Sequence, residues 1–253
     1  MRPMPPNPDA AHPTQRFGMR APAYASFRPG YPSEAIDAVL EGLGDPQRLT
    51  IADFGAGTGI SARLFAERGA AVIAVEPNAA MRDAACAHPR VRWHAGTAER
   101  SGLADGSVDL VVACQAFHWF ATAETMHEIA RIARRRAALL QYERDERDTF
   151  TKAYGDIVRA YARDDTESRR AVALATFARF PNARVIRAEF PSAQTLDLEA
   201  LLGRAASASY LPTSGPDGEA LQRELRAVFE RFQRDGRVAH ALVTVALTAD
   251  FDR

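Results

Sequence analysis

Residues 51–59 read I-A-D-F-G-A-G-T-G, and this stretch decides the fold class. A short, mostly apolar run at residues 49–52 precedes Asp53, and glycines follow at positions 55, 57 and 59 before a helical pattern at residues 60–68. A strand, a glycine turn and a helix in this order are typical of a nucleotide-type ligand site. The glycines let the backbone approach a ligand and adopt dihedral angles that a Cβ would forbid. The start of the helix offers free N–H groups to a carboxylate or phosphate. A tight turn without a ligand is the alternative interpretation.

The rest of the first half alternates strands with helices. Strands are predicted at residues 49–53, 71–76, 91–94, 108–114 and 137–142, and helices lie between most of them. This alternation predicts an α/β fold with a doubly wound, mostly parallel sheet. Such sheets bind ligands outside the carboxyl ends of their strands, which is where the glycine turn falls.

The second half has a different pattern. Residues 144–180 are charged and helical in character, and two further strands are predicted at residues 183–190 and 238–247, which brings the sheet to seven strands. Helical stretches at residues 196–206 and 219–234 separate these last two strands. The pattern therefore predicts a helical insertion among the late strands.

Composition limits the classes of function. The chain carries 32 basic and 32 acidic residues, and a net charge of zero argues against a broad nucleic-acid-binding surface. The two cysteines, Cys86 and Cys114, lack metal-ligand spacing, so we expect neither a metal site nor a disulfide framework. No run approaches the roughly 20 apolar residues of a membrane span. The Pro-rich start lacks the apolar segment of a signal peptide, which predicts a cytoplasmic location.

Glu76 is the next informative residue. It ends the second predicted strand, in the sequence A-V-I-A-V-E-P-N, beside the glycine turn in this topology. A carboxylate there can accept hydrogen bonds from both ribose hydroxyls of a nucleotide, although an acid that caps the next helix is the alternative. A dinucleotide fingerprint would require G-x-G-x-x-G, and Ile60 stands where its third glycine belongs, so a dehydrogenase is disfavoured.

Taken together, these segments resemble the class I S-adenosylmethionine-dependent methyltransferases, of the type 11 group. D-F-G-A-G-T-G at 53–59, V-E-P-N at 75–78, G-T-A-E at 96–99 and S-V-D-L-V-V at 107–112 follow the order and spacing of the family. The chain is most similar to a small-molecule subgroup that includes trans-aconitate methyltransferase-like proteins. That subgroup carries Y-x-x-F-R-P-x-Y-P, Q-A-F-H-W-F and L-x-x-L-L-G-x-x-x-S-x-S-Y, which are matched at 24–32, 115–120 and 198–210.

The resemblance implies a domain organisation. Residues 1–22 are expected to be a disordered N-terminal segment, and residues 23–253 a single methyltransferase domain. Within that domain, residues 23–48 would form a lid and the first helix, residues 49–142 the cofactor-binding core, and residues 143–253 the late strands with a helical substrate insertion.

The resemblance also implies roles for individual residues, with S-adenosylmethionine as the cofactor. Glu76 would bind the ribose, Gln115 would lie near the sulfonium, and Arg28 would pair with the methionine carboxylate or with an anionic substrate. The other expected cofactor-binding residues are Tyr24, Asp53, Gly55, Ala56, Gly57, Thr58, Pro77, Met81, Thr97 and Ala98.

The sequence departs from the family pattern before the fifth strand. The family usually has an L-x-P-G-G turn there, whereas this chain reads I-A-R-R-R-A at residues 132–137. The departure leaves the entry into that strand undetermined and does not touch the cofactor motif.

His118 is the candidate catalytic residue. It follows the fourth predicted strand, and an imidazole there could remove a proton from an oxygen or nitrogen nucleophile near neutral pH. A carboxylate or thiolate acceptor would need no base, in which case His118 would pack or orient. Tyr31, Phe117 and Trp119 are the candidate substrate-binding residues.

A small organic molecule is the expected acceptor. A carboxylic acid is implied by the aconitate-like resemblance, and a phenol, an amine or a carbon nucleophile remains open. Two alternatives are a protein that binds the cofactor without transferring methyl and a methyltransferase that acts on nucleic acid. The oligomeric state is left undetermined by the sequence.

Overall fold

An open sheet forms the centre of the protein in the computed structural model, which describes residues 28–251. Its strands are β1 Thr50–Phe54, β2 Ala71–Val75, β3 Val91–His94, β4 Val108–Cys114, β5 Ala133–Arg144, β6 Ala183–Leu196 and β7 Val238–Phe251. They lie in the order β3-β2-β1-β4-β5-β7-β6. Strands β1 to β5 are parallel, and β7 runs antiparallel between β5 and β6. The predicted seven-stranded, doubly wound and mostly parallel sheet is confirmed.

Helices cover both faces of this sheet. They are α1 Ser33–Leu40, α2 Ile60–Glu67, α3 Ala79–Asp83, α4 Ala123–Ile132, α5 Thr149–Tyr161, α6 Thr166–Phe177, α7 Leu198–Ala206 and α8 Gly215–Phe232. Alternate residues of β1 enter different apolar clusters: Ala52 and Phe54 pack in one, and Ile51 in the other. Because side chains alternate across a strand, the two clusters are the cores on the two faces of the sheet.

The late helices form a separate apolar cluster. Phe150 of α5, Leu201 of α7 and Leu225 of α8 are buried in it together with Val238 at the start of β7. The hydroxyl of Thr151 accepts a hydrogen bond from the Ala241 N–H at 2.9 Å, which ties α5 to β7. Helices α7 and α8 separate β6 from β7, where the helical insertion was predicted.

Several boundaries differ from those that the sequence predicts. The last three strands are longer than the strands predicted at residues 137–142, 183–190 and 238–247. Predicted strands were ended where their apolar runs stop, but β6 continues with half-buried alternation because it pairs with β7 along its whole length.

Three consecutive arginines replace the turn that the family pattern has before β5. Helix α4 ends at Ile132 and the strand starts at Ala133 without an intervening loop, with a register shift between Val108 and Leu110 of β4. Arg134 pairs with Asp109 at 2.9 Å. Arg136 is buried, and its guanidinium forms two hydrogen bonds to Asp250 on β7 while donating to the carbonyls at the end of α1. Side-chain hydrogen bonds thus fix the entry into β5.

Two predictions fall on parts of the chain outside the described residues. They are the disorder of residues 1–22 and the part of Tyr24 in a lid over the cofactor. Among the helices of residues 28–251, none is long and apolar enough to cross a membrane.

We predict that Arg136→Met lowers the free energy of unfolding by about 3 kcal/mol, because it leaves Asp250 and buried carbonyl groups without their donor. Arg135→Met is the matched control, since the exposed Arg135 donates only to the carbonyls of Leu43 and Gly42. That control should cost less than about 1 kcal/mol. Urea denaturation measures the free energy of unfolding of both variants. An equal decrease in the two would show that the buried guanidinium of Arg136 does not fix the entry into β5.

Candidate active site

The glycine turn after β1 lies against the end of β2. The N–H groups of Gly55 and Ala56 donate to the Val75 carbonyl at 2.9 and 3.2 Å. Gly55, Gly57 and Gly59 have φ angles of 67°, 60° and 82°, which side chains other than glycine rarely adopt. A Cβ on Gly55 would also stand 2.7 Å from the Ala116 Cβ, so close approach as well as dihedral angle requires glycine there.

Glu76 fixes the position of this turn. One carboxylate oxygen accepts the Gly57 N–H at 3.0 Å, and the other accepts the Asn78 N–H at 2.9 Å. Burial raises the pKa of Glu76 above its ordinary value, although these two N–H groups and the charge of Arg82 oppose the shift. Each carboxylate oxygen can accept more than one hydrogen bond, so the group can still accept from hydroxyls of a ligand.

Unsatisfied polar atoms lie at the end of β1. Asp53 is fully buried; its Oδ2 accepts a hydrogen bond from the Ser61 hydroxyl at 2.6 Å, and its Oδ1 has no partner among the described residues. Burial raises the pKa of Asp53 to about 7, with the nearby charge of Glu76 adding to the effect and the Ser61 hydroxyl opposing it. The buried Thr58 hydroxyl also lacks a partner within that part of the chain. Buried polar atoms in native proteins are nearly always paired, so these atoms fit a polar ligand.

Gln115 closes the cleft from the side of β4. It takes the left-handed backbone conformation, with φ of 54°, and its Nε2 donates to the Tyr142 carbonyl at 2.7 Å. Its Oε1 is buried and has no partner among residues 28–251. The cleft is lined by the glycine turn at Gly55 and Ala56, by Gln115 and, from the N-terminal side, by Arg28 and Tyr31.

The remaining predicted cofactor residues lie at the ends of β2 and β3. Met81 and Ala98 are buried, whereas Pro77 and Thr97 are exposed. The Thr97 hydroxyl accepts the Arg100 N–H at 3.2 Å, which shapes the turn after β3. In this sheet the ends of β1, β2 and β3 are neighbours, so the three predicted motifs share one edge.

A second cavity, of about 360 Å³, adjoins this cleft, and Arg28 and Tyr142 line both. Arg28 donates to the Tyr142 hydroxyl at 3.4 Å and to the Ser207 carbonyl at 3.2 Å. The wall opposite is formed by the late helices and β7. Its residues include Tyr154, Arg170, Arg204, Tyr210 and His240.

The sequence predicts that the insertion binds the acceptor, but it does not single out most of the side chains that line this cavity. Arg204 had a detectable signal, because it lies on the buried face of α7 between Leu201 and Ala205, where a helix normally carries apolar residues. His240 and Arg170 gave none, since a histidine in an apolar strand and an arginine on a charged helix are ordinary features of such elements.

His118 is buried in the short 3-10 turn Phe117–Trp119 that follows β4. Its Nδ1 has no partner within the described chain, and its ring lies 4.9 Å from the Trp119 ring. Burial, and then the positive charges of Arg170, Arg169 and Arg28, lowers the pKa of His118 well below its ordinary value. The imidazole is therefore neutral near pH 7 and is a weak base.

The aromatic neighbours of His118 have different surroundings. Phe117 is fully buried in the core, where its ring packs edge-on to those of Phe120 and Phe177. It does not line the cleft, the 360 Å³ cavity or the smaller cavity that His118 lines. The 3-10 turn directs the Phe117 ring into the core, so its position gives no support to the predicted contact with substrate, which stays a prediction. Trp119 lines a smaller cavity with His118, and the Arg169 guanidinium lies 4.8 Å from its ring centroid.

Within residues 28–251, no three His, Cys, Asp or Glu side chains are grouped so that they could hold a metal ion. Burial raises the pKa of the Cys114 thiol well above its ordinary value, and the nearby Asp53 adds to the shift, so this side chain of the cleft stays a thiol.

Comparisons with known proteins agree with this architecture. A family model described as a methyltransferase domain matches residues 52–140. A relative from Mycobacterium tuberculosis, described as an uncharacterized methyltransferase, is 37% identical over 201 residues, which are 78% of this chain and 78% of the relative.

Solved structures add support for the fold alone, because their sequence identity is low. One from Anaeromyxobacter dehalogenans, assigned to the type II methyltransferases, aligns with a TM-score of 0.64 at 23% identity and covers 89% of this chain and 98% of its own. Another structure, from Anabaena variabilis and assigned to an antibiotic biosynthesis pathway, aligns with a TM-score of 0.63 at 23% identity. The alignment covers 84% of this chain and 96% of the other.

We predict that a rise in pH destabilises the wild-type protein relative to the Asp53→Asn variant. The carboxyl has a pKa of about 7 when folded and an ordinary value near 3.8 when unfolded, so the folded state binds more protons between these values. Between pH 5 and pH 8 the difference in unfolding free energy should move by about 2.5 kcal/mol in favour of the asparagine variant. Urea denaturation at both pH values measures it, and a difference that does not change with pH would contradict the buried, unsatisfied carboxyl.

Proposed function

The protein belongs to the class I S-adenosylmethionine-dependent methyltransferases, and from this premise we propose that it transfers a methyl group to a carboxylate of a small organic acid. The observation that carries the proposal is the arginine-lined cavity beside the cofactor cleft. The cytoplasmic location that the sequence predicts stays a prediction.

The unsatisfied atoms of the cleft support the proposed cofactor contacts. Asp53 and Thr58 carry buried oxygens that have no partner among the described residues, and with the backbone of the glycine turn they would hold the amino-acid end of the cofactor. Glu76 would accept from the ribose hydroxyls. Residues Pro77, Met81, Thr97 and Ala98 would surround the adenine.

The cofactor, when bound, supplies a methyl group on a positively charged sulfur, which a correctly aligned nucleophile can take. The chain must then align the acceptor and exclude water. Gln115 is proposed to lie near the sulfonium, because the left-handed backbone directs its amide across the cleft to the Tyr142 carbonyl. Arg28 and Tyr31 line the same cleft and would cover the bound cofactor.

The charge of the neighbouring cavity favours an anionic acceptor. Five arginines and three glutamates line it, and burial lowers the pKa of His240, which leaves that imidazole neutral. The excess of positive charge attracts a carboxylate. A carboxylate is already ionised at neutral pH and needs no base, which agrees with the weakly basic His118.

One observation favours a second candidate. His118 lines a small cavity with Gln115 and Arg28, and its unpartnered Nδ1 is available to accept a proton from a phenol or an amine. The low pKa of His118 weakens this candidate without removing it. A protein that only binds the cofactor, or one that methylates nucleic acid, has no comparable support in the site.

We predict that Glu76→Ala weakens the binding of S-adenosylmethionine and of S-adenosylhomocysteine roughly hundredfold, because each hydrogen bond to a buried carboxylate contributes about 1.5–3 kcal/mol. Isothermal titration calorimetry measures both ligands. Glu67→Ala, which removes an exposed glutamate on α2, is the control and should bind like the wild type. Absence of binding to folded wild-type protein would remove the proposed function altogether.

We also predict that His118→Gln changes kcat less than about tenfold with the physiological acceptor, because no proton has to be removed from a carboxylate. The assay uses methyl-labelled S-adenosylmethionine with a panel of small carboxylic acids, phenols and amines. His127→Gln, on the exposed face of α4, is the matched control.

The product identifies the acceptor atom in the same assay. A methyl ester releases labelled methanol in mild base, whereas methyl ethers and methylamines do not. A base-stable product together with a loss of kcat of about a hundredfold or more in His118→Gln would contradict the carboxylate and establish the phenol or amine candidate. If no acceptor is methylated but the cofactor binds, salt-dependent retention on RNA is the next test.

A further inference from the structure

Arg204 is a buried cation that has no carboxylate partner among residues 28–251. It is only 7% exposed, on the buried face of α7, and forms no ion pair with any described residue. Its Nη1 donates to the Gln194 Oε1 at 2.7 Å, and its guanidinium lies 5.8 Å from the centroid of the Tyr142 ring. Neither group carries a formal negative charge as an amide or a phenol. Burial of an uncompensated charge is unfavourable, so such a group usually has a charged partner.

Two other arginines that line the cavity are paired with acidic residues. Arg144 forms ion pairs with Glu146 and Glu167, and Arg159 pairs with Glu146. Glu143, the third acidic residue of the wall, accepts from Gln141 at 2.9 Å and forms no ion pair with the described residues. The ion pairs of the wall therefore leave the charge of Arg204 without an acidic partner among the described residues.

Arg170 adds to the positive charge near Arg204. It projects from α6 into the same cavity, it is half-buried, and it too forms no ion pair with residues 28–251. These positive charges also affect the hydroxyl of Tyr142. Burial alone would raise the pKa of this phenol, but the charges of Arg28, Arg204 and Arg170 lower it below its ordinary value. Three guanidinium groups thus act on one small region.

The position of Arg204 separates it from the cofactor. Arg204 lines the 360 Å³ cavity but not the cleft between the glycine turn and Gln115, whereas Arg28 lines both. Arg204 therefore lies outside the cleft in which the cofactor is proposed to bind.

We propose that Arg204, with Arg170 beside it, is an anion-binding site for a second, non-reacting anionic group of the acceptor, so that the preferred acceptors carry two anionic groups. The proposal rests on the proposed function and specifies its substrate class. Arg204 holds one end of the acceptor, and the other end reaches past Tyr142 to the cofactor cleft. The guanidinium suits either a carboxylate or a phosphate at the anchored end, because it binds both through paired N–H donors.

The test measures binding rather than turnover, with S-adenosylhomocysteine saturating. Unbranched dicarboxylates of three to six carbons are titrated beside monocarboxylates of the same length and beside phosphonocarboxylates. For wild type we expect at least one dianion to bind about tenfold or more tightly than its monocarboxylate, since one hydrogen-bonded ion pair contributes roughly that factor or more. If a dicarboxylate binds most tightly, the anionic group at Arg204 is a carboxylate. If a phosphonocarboxylate binds most tightly, Arg204 prefers a phosphate-like group.

The variants attribute the preference to Arg204. Arg204→Gln and Arg204→Met should reduce it to about twofold or less, whereas Arg226→Gln, an exposed arginine on α8, should retain it. Arg204→Met should also leave the thermal midpoint of the free protein unchanged or higher, because it removes an uncompensated buried charge. An arginine with a purely structural role would lower that midpoint.

The outcomes separate this inference from the proposed function. If S-adenosylhomocysteine binds but no dianion exceeds its monocarboxylate, or if the preference survives in both Arg204 variants, the anion site is refuted and the methyltransferase proposal stands. If neither Arg204 variant folds, Arg170→Gln decides: a severalfold loss of dianion binding supports the site, and unchanged binding refutes it. A wild type that does not bind S-adenosylhomocysteine removes the proposed function itself.

Discussion

The site depends on the close approach between the ends of β1 and β2. The Val75 carbonyl accepts two N–H groups of the glycine turn, and the Glu76 carboxylate accepts a third from Gly57. Only glycine at position 55 permits the turn to come so near the residues that follow β4. Because these contacts set the direction of the turn, they also place the unsatisfied oxygens of Asp53 and Thr58 beside it. A ligand that pairs with those oxygens would replace hydrogen bonds that the folded chain leaves unmade.

Two neighbouring sites with opposite electrostatics follow from this arrangement. Beside the cleft lie the carboxyl groups of Asp53 and Glu76, and burial raises the pKa of each because it disfavours the negative charge. The adjoining cavity holds buried positive charge at Arg204, and burial together with the charges of Arg170, Arg169 and Arg28 lowers the pKa of the nearby His118. A cationic donor and an anionic acceptor would each relieve the imbalance on its own side. This complementarity, more than any single base, is what the chain offers to a methyl transfer.

The sequence predicted the sheet because parallel strands buried on both faces leave clear apolar runs separated by helices. It also predicted Glu76 and the glycine turn, since backbone dihedral angles and a strand-end carboxylate are properties of adjacent residues. It could not predict the cavity, because Tyr142, Arg204 and His240 are far apart in sequence and meet only through the pairing of β5 with β7 and the docking of α7. The entry into β5 was missed for the same reason: Arg136 finds its partner, Asp250, 114 positions later.

A crystal structure of the full chain with S-adenosylhomocysteine tests the assignment of the cofactor cleft most directly. We expect the ribose hydroxyls on the Glu76 carboxylate and the amino-acid end against Asp53 and the glycine turn. We expect the sulfur to face the cavity that shares Arg28 and Tyr142 with the cleft. A ligand bound elsewhere, or one whose sulfur faces away from that cavity, would contradict the assignment of both the cofactor cleft and the acceptor side.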